Sequence, residues 1–167
     1  MELSEAIKSR KSIRKYKSAP VEDGKLQEVL EAGRAAPTAR NSQAWYCVVV
    51  RNPDLLSKMG PACNDQLWVG EAPVNLVICG TDNRPMMCGQ YTNPVDCSIA
   101  LTQMILKAAE LGLGTCWLGA FDAEKVRALL SIPASDTIVA VTPLGYPDTD
   151  PQPRPRKDLA EFVRYMD

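Results

Sequence analysis

The sequence predicts one layered domain in which helices and strands are mixed, of the α/β or α+β class. The chain has 167 residues, of which 46% are hydrophobic, and this is enough for about one domain with a proper core. Short apolar runs rich in β-branched residues alternate with amphipathic helical patterns along the chain. We therefore expect a single domain over residues 1–167, since the sequence contains no internal repeat and no low-complexity tract.

Two amphipathic helices are predicted in the first forty residues. Leu3, Ala6 and Ile7 begin the first helix, and Arg10 would end it. The second helix has its apolar positions at Leu26, Val29, Leu30 and Ala32. We expect it to stop before Pro37, because the residue before a proline disfavours helical geometry.

Three apolar runs predict buried strands. They are WYCVVV at 45–50, VNLVICG at 74–80 and TIVAVTPLG at 137–145. Each run is rich in β-branched residues and is bounded by Pro, Asn or Gly. A fourth run, TCWLGA at 115–120, predicts a strand more weakly because glycines flank it.

The longest helix is predicted between Asn93, which would cap it, and Gly112, which would stop it. Its polar residues form one narrow stripe and are Asp96, Gln103, Lys107 and Glu110. We expect Asp96 to favour the positive end of the helix. A helix that is apolar over most of its circumference is buried on several sides, in a large core or between subunits. For a chain of this length, we expect a subunit interface.

The residue types exclude several kinds of catalytic site. The chain has no histidine, so neither Ser-His-Asp nor Cys-His catalysis is expected in its usual form. The six cysteines are widely spaced without a CxxC pair, and we expect no metal site. If the protein is an enzyme, a cofactor rather than a side chain is expected to carry the chemistry.

No targeting or membrane-spanning pattern is visible in the sequence. The first ten residues, MELSEAIKSR, lack the apolar stretch of a signal peptide. No apolar run reaches the roughly 18 residues that a membrane span requires. We expect a cytoplasmic protein without a membrane partner.

A concentrated basic segment contrasts with the overall net charge of −1. Six of the ten residues from Lys8 to Lys17 are Lys or Arg, and none is acidic. In an extended segment, side chains two positions apart share a face, so Ser12 and Arg14 would point together with Arg10 nearby. Guanidinium groups offer planar, charge-assisted donors that suit a phosphate. The alternatives are a solvated basic turn and a nucleic-acid patch, and the acidic remainder of the chain argues against the latter.

Four segments follow one another along nearly the whole chain: SRKSIRKY at 9–16, APTARNSQAWYCVVV at 36–50, LGLGTCWLGAF at 111–121 and PRPRKDL at 153–159. Together and in this order, they resemble the FMN-dependent nitroreductase family. The resemblance implies an α+β fold, with a central mixed or antiparallel sheet flanked by helices, in a homodimer with flavin at its interface. It also implies FMN as the cofactor and NADH or NADPH as the reductant.

The resemblance assigns cofactor contacts to particular residues and implies no catalytic side chain and no metal. The phosphate and ribityl chain of FMN would be bound by Arg10, Lys11, Ser12 and Arg14, and the phosphate cage would be completed by Arg154 and Arg156. The second chain of the dimer would contribute Pro37, Thr38, Ala39, Asn41 and Gln43. Backbone N–H groups at the reactive edge of the flavin would come from Leu118, Gly119 and Ala120.

The implied activity is electron transfer from NADH or NADPH, through the bound flavin, to a small nitroaromatic, quinone or similar acceptor by a ping-pong mechanism. One alternative is a flavin-binding module without turnover, and another is a nucleic-acid-binding protein that uses the basic segment. The segment 81–93, where relatives often build the substrate pocket, is short here. Its Met86, Met87 and Tyr91 either line that pocket or belong to an ordinary surface loop. The match to the family is poor at residues 64–66.

Overall fold

A computed structural model describes residues 2–166 and shows a four-stranded sheet with helices on both faces. The strands are β1 (Trp45–Val50), β2 (Val74–Gly80), β3 (Gly114–Thr115) and β4 (Thr137–Gly145). The helices are α1 (Leu3–Ser9), α2 (Asp23–Arg34), α3 (Pro53–Ala62), α4 (Trp68–Glu71), α5 (Thr92–Glu110), α6 (Ala123–Leu130) and α7 (Leu159–Phe162), and a 3-10 turn covers Ala39–Asn41. The predicted α+β fold is confirmed.

The sheet has the strand order β1-β2-β4-β3, and each pair of neighbouring strands is antiparallel. The three long strands have the bounds predicted from their apolar runs. The fourth strand is much shorter than the predicted 115–120, because only Gly114 and Thr115 pair with β4 as a ladder. Leu118 returns to form one isolated bridge with Val141.

The core lies on both sides of β2, which is buried at every residue. Side chains alternate across a strand, so Leu76 and Ile78 face one side and pack in a cluster with Leu101 of α5. Val77 and Cys79 face the other side, in a cluster formed with residues of α3 and α6. The central strand therefore holds the two helical layers together.

The start of α5 differs from the prediction. The helix begins at Thr92 with Tyr91 in the N-cap position, so the prediction that Asn93 caps it is wrong. Asn93 lies inside the first turn and is only 3% exposed. A Cβ added at Gly80 would lie 2.3 Å from the Asn93 Cγ. The asparagine is therefore used to pack closely against the end of β2.

The end of α5 is as predicted. Gly112 has a φ of +76°, in the left-handed region that favours glycine. Its N–H donates to the Ala109 carbonyl at 3.0 Å, and the Leu113 N–H donates to the Ala108 carbonyl at 2.8 Å. These two bonds satisfy the last carbonyls of the helix. Within residues 2–166, no helix combines the length and apolar content that crossing a membrane would need.

The basic segment after α1 runs extended, as predicted. Helix α1 ends at Ser9, and the chain then forms a parallel bridge between Ser12 and Thr115. An antiparallel bridge joins Tyr16 to Pro147 further along. The segment is therefore fixed beside β3 and beside the chain that follows β4.

Candidate functional site

A cavity of about 640 Å³ lies between the end of α1, the basic segment and the chain after β4. Its lining residues are Ile7, Lys8, Arg10, Lys11, Ser12, Arg14, Pro151, Gln152, Pro153, Arg154 and Arg156. The structure thus brings together all six residues that were predicted to bind the cofactor's phosphate or ribityl chain, although 140 positions separate the two groups along the chain. We call this space the cationic cavity.

The cations of the cationic cavity are poorly compensated by carboxylates. Among residues 2–166, no salt bridge involves Arg10, Arg14, Arg154 or Arg156. Lys11 differs from them, because its Nζ lies 2.5 Å from Asp150 Oδ1. Unpaired guanidinium groups around one concave space attract an anion.

Buried neighbours hold the basic segment in place. Ile13 and Tyr16 are 6% and 8% exposed, so the side chains of Ser12 and Arg14 turn away from the core. The Tyr16 hydroxyl donates to the Ile13 carbonyl at 2.6 Å, and burial raises the pKa of this phenol far above its ordinary value. A Cβ at Gly114 would lie 2.7 Å from Ile13 Cγ1, which shows how closely the segment approaches β3.

Arg14 has a further contact that fixes its direction. Its guanidinium carbon lies 5.8 Å from the centroid of the Trp68 ring, within the range of a cation–π interaction. Trp68 is half-buried and packs against the cluster of Ile13 and Tyr16. The charge is therefore held at one side of the cationic cavity without being neutralised.

The predicted loop at 37–43 lies at the N-terminal end of α5 and does not line the cationic cavity of its own chain. Ala39 donates its N–H to both carboxylate oxygens of Asp96 at 3.1 Å. The Gln43 N–H donates to Thr38 Oγ1 at 3.0 Å. These bonds give the loop a defined shape on the surface.

The predicted segment 118–120 also lies outside the cationic cavity. Leu118 cannot offer its N–H as expected, because that group already donates to the Val141 carbonyl at 3.0 Å. Gly119 and Ala120 are exposed. The side chain of Gln66 donates to the Ala120 carbonyl at 2.9 Å and so ties this segment to the chain between α3 and α4.

Residues 81–91 of the segment 81–93 form a compact surface loop, and residues 92–93 begin α5. Met86 donates its N–H to the Gln90 carbonyl at 2.7 Å, and Pro85 forms an isolated bridge with Tyr91. Met87 and Tyr91 are exposed, while Met86 is half-buried. Two apolar side chains on this loop are therefore accessible to a ligand or a second chain.

Several of the thiols are buried, which makes them poor nucleophiles. Burial raises the pKa of Cys63 and Cys79 to about 11 and that of Cys97 to about 12. Cys88 is exposed, and Cys116 is buried. Within the described residues, no group of three or more Cys, Asp or Glu side chains is placed to hold a metal ion.

Sequence reasoning missed several residues that shape the site. Lys8 and Gln152 line the cationic cavity, and Lys8 was already visible as the first member of the basic run. Asp150 pairs with Lys11, 139 positions away. Gln66 belongs to the segment 64–66, where the match to the family is poor, and its bond to Ala120, 54 positions away, was not predicted. No local pattern in the sequence signals such contacts.

Comparison with known proteins gives consistent matches over most of the chain. A family model described as the nitroreductase family matches residues 7–92 and 68–146. An NADH dehydrogenase of Thermus thermophilus is 33% identical in an alignment 190 positions long, which covers 95% of this chain and 93% of that protein. An FMN reductase (NAD(P)H) of Bacillus subtilis is 29% identical in an alignment 175 positions long, which covers 92% of this chain and 70% of that protein. The solved structure of the NADPH:FMN oxidoreductase from Vibrio harveyi, complexed with NAD+, superposes with a TM-score of 0.88 at 25% identity and covers 99% of this chain and 78% of that chain.

Proposed function

The chain belongs to the nitroreductase family, and we propose that it transfers electrons from NADH or NADPH, by way of bound FMN, to a small acceptor such as a nitroaromatic or a quinone. The names of the FMN reductase and of the NADPH:FMN oxidoreductase among its relatives support FMN and a reduced nicotinamide as its redox partners.

The observation that carries the proposal is the cationic cavity. Its volume of about 640 Å³ falls within the roughly 300–1,000 Å³ of small-molecule sites. Arg10, Arg14, Arg154 and Arg156 supply forked donors without carboxylate partners, and Ser12 adds a hydroxyl. This donor set fits the phosphate monoester of FMN, which carries close to two negative charges at neutral pH.

The side chains bind and orient, while the cofactor carries the chemistry. Bound FMN supplies hydride acceptance and electron donation, which no side chain of this chain provides. Arg10, Ser12 and Arg156 would hold the phosphate, and Arg14 would present positive charge from its place beside Trp68. Exposed backbone N–H groups at 119–120 would donate hydrogen bonds to the cofactor's ring.

A homodimer would complete the site. The loop 37–43 lies outside the cationic cavity of its own chain, and we propose that it reaches the cofactor bound by the second subunit. Leu3 and Ile7 of α1 are 66% and 55% exposed, and Ile99 of α5 is 37% exposed. Apolar side chains on neighbouring helices support their burial by a second copy.

The experiment that tests this function combines chromophore analysis with kinetics. The purified protein should be yellow, and the released chromophore should be FMN. Its absorbance should bleach anaerobically on adding NADH or NADPH and return when an acceptor such as a quinone is added. Absence of bleaching by either nicotinamide would rule out the oxidoreductase, and bleaching without repeated turnover would favour a flavin-binding module.

The kinetic order of the reaction is expected to follow from the use of one open face of the bound flavin ring by both the nicotinamide and the acceptor. Hydride transfer needs the reacting atoms roughly 3–3.5 Å apart, which leaves little room for an acceptor at the same place. The oxidised nicotinamide should therefore leave before the acceptor binds. Double-reciprocal plots against the nicotinamide at several acceptor concentrations should be parallel, whereas intersecting lines would require a ternary complex.

A further inference from the structure

Three residues of the loop 37–43 have left-handed backbone geometry. Arg40, Asn41 and Gln43 have φ angles of 55°, 53° and 52°. Asparagine adopts this region fairly often, but arginine and glutamine rarely do. Arg40 and Gln43 are therefore expected to need surrounding contacts that determine their conformation. Something outside the local sequence must therefore hold this loop.

The hydrogen bonds of the loop are mostly internal. Asn41 donates its N–H to the Thr38 carbonyl at 2.9 Å, and Ser42 donates to the Ala39 carbonyl at 3.1 Å. The Gln43 N–H donates to the Thr38 hydroxyl. Such bonds close a turn but do not fix its position relative to the core.

One contact ties the loop to the core. Asp96, on the second turn of α5, lies 57 positions away along the chain and accepts the Ala39 N–H with both carboxylate oxygens at 3.1 Å. The side chain is 6% exposed, and within residues 2–166 it forms no salt bridge. A buried carboxylate without a cation is costly, so its bond to Ala39 is a determinant of local structure rather than an incidental contact.

We propose that Asp96 is a positioning residue for the cofactor site: its carboxylate anchors Ala39 and thereby fixes the loop 37–43 in the shape that contacts FMN. The cofactor part of this inference rests on the proposed function, because that function places the loop against FMN of the second subunit. Asp96 thus links α5 to the proposed cofactor site, although the Asp96 side chain does not itself contact the cofactor.

The test uses variants at both ends of the contact. Asp96→Ala removes the acceptor, whereas Asp96→Asn keeps one acceptor oxygen at the same place and removes the charge. Ala39→Pro removes the donor without altering Asp96, and Thr38, with φ −132° and ψ 157°, already has the backbone geometry preferred before proline. Glu110→Ala is the matched control, because it removes the other carboxylate of α5 far from the loop.

The first readout is amide hydrogen exchange over residues 38–43 of the cofactor-free protein, with thermal unfolding to confirm that each variant is folded. We expect exchange to accelerate roughly tenfold or more in Asp96→Ala and Ala39→Pro, as expected for loss of a hydrogen bond to a charged group. Asp96→Asn and Glu110→Ala should stay near the wild type. Unchanged exchange in both Asp96→Ala and Ala39→Pro would overturn the anchoring role.

The second readout is FMN affinity by fluorescence titration. We expect Asp96→Ala and Ala39→Pro to weaken FMN binding roughly tenfold, and Asp96→Asn to restore it. A released loop with unchanged FMN affinity would overturn the positioning role. If the wild-type protein itself fails to bind FMN, the proposed function fails and the cofactor part of this inference with it, while the exchange data still decide whether Asp96 anchors the loop.

Discussion

At the level of single residues, the guanidinium groups of Arg10, Arg14 and Arg156 reach one cavity from two ends of the chain. Arg10 and Arg14 were predicted from their spacing in the basic segment together with the order of the four motifs. Arg156 was predicted from the order of the motifs alone. The contacts of Asp96 and Asp150 could not be predicted from the sequence, because their partners lie 57 and 139 positions away. Long-range contacts of this kind depend on the folded chain and leave no local pattern.

Arg10→Ala should weaken FMN binding by roughly ten- to a hundredfold, because one charge-assisted contact contributes about 1.5–3 kcal/mol. Fluorescence titration of the cofactor-free protein measures the effect. Arg51→Ala is the matched control, since Arg51 is paired with Asp23 and lies outside the cationic cavity. Equal losses in the two variants would show that general charge, rather than this site, attracts the cofactor.

The buried thiols should be unreactive at pH 8. Their pKa values are raised above that of an ordinary thiol, to about 11 for Cys63 and about 12 for Cys97, so reactive thiolate forms only as the pH rises toward those values. A disulfide reagent should therefore modify one thiol per folded chain quickly, at the exposed Cys88. In denaturant, all six thiols should react. A second thiol that reacts quickly in the folded state would contradict this prediction.

Neither Cys88 nor Cys116 is expected to take part in turnover. We expect Cys88→Ser and Cys116→Ser to keep most of the NAD(P)H-dependent activity when they still bind FMN. Activity per bound FMN is the measurement, because it separates chemistry from cofactor loss. A large fall in that ratio would indicate a thiol in the reaction.

Among the elements, the chain that follows β4 depends on its contact with the basic segment. Asp148 donates its N–H to the Lys15 carbonyl at 3.0 Å, and its carboxylate lies 3.2 Å from the Lys15 Nζ. Lys11 and Asp150 form a second ion pair. These contacts bring residues 151–156 to the cationic cavity, so Lys11 serves as a tie between segments as well as lining the site.

A charge exchange tests this tie. Lys11→Asp should weaken FMN binding, and the double variant Lys11→Asp/Asp150→Lys should recover part of the loss. Asp150 is largely exposed, and exposed pairs contribute little, about 0–1 kcal/mol, so we expect unfolding temperatures to change little. No recovery in the double variant would mean that Lys11 acts on the phosphate directly, as the family resemblance implies.

The elements that were predicted well are those whose signals are local. The runs at 45–50, 74–80 and 137–145 are β-branched and apolar, and the structure gives them the predicted bounds. The run at 115–120 was predicted too long, because pairing with β4 ends after Thr115. The cap of α5 was misassigned because packing against Gly80, rather than helix capping, determines the place of Asn93. Both errors arise from tertiary contacts.

For the whole molecule, a complete FMN site is proposed to need two subunits. Sedimentation at micromolar concentration should show a dimer, because α1 and α5 expose apolar side chains and each FMN site is proposed to include the second chain's loop 37–43. A folded monomer that carries flavin would contradict this assembly. Substituting exposed Ile99 by Asp should shift the equilibrium toward monomer and release FMN at the same time.

The most direct measurement of the central claim compares FMN with riboflavin, which has the same ring and no phosphate. The cationic cavity is proposed to bind that phosphate, so riboflavin should lose two or three charge-assisted contacts of about 1.5–3 kcal/mol each. Titration of the cofactor-free protein should therefore give an affinity for FMN at least roughly a hundredfold higher than for riboflavin. Equal affinities for the two flavins would contradict the assignment of the cationic cavity.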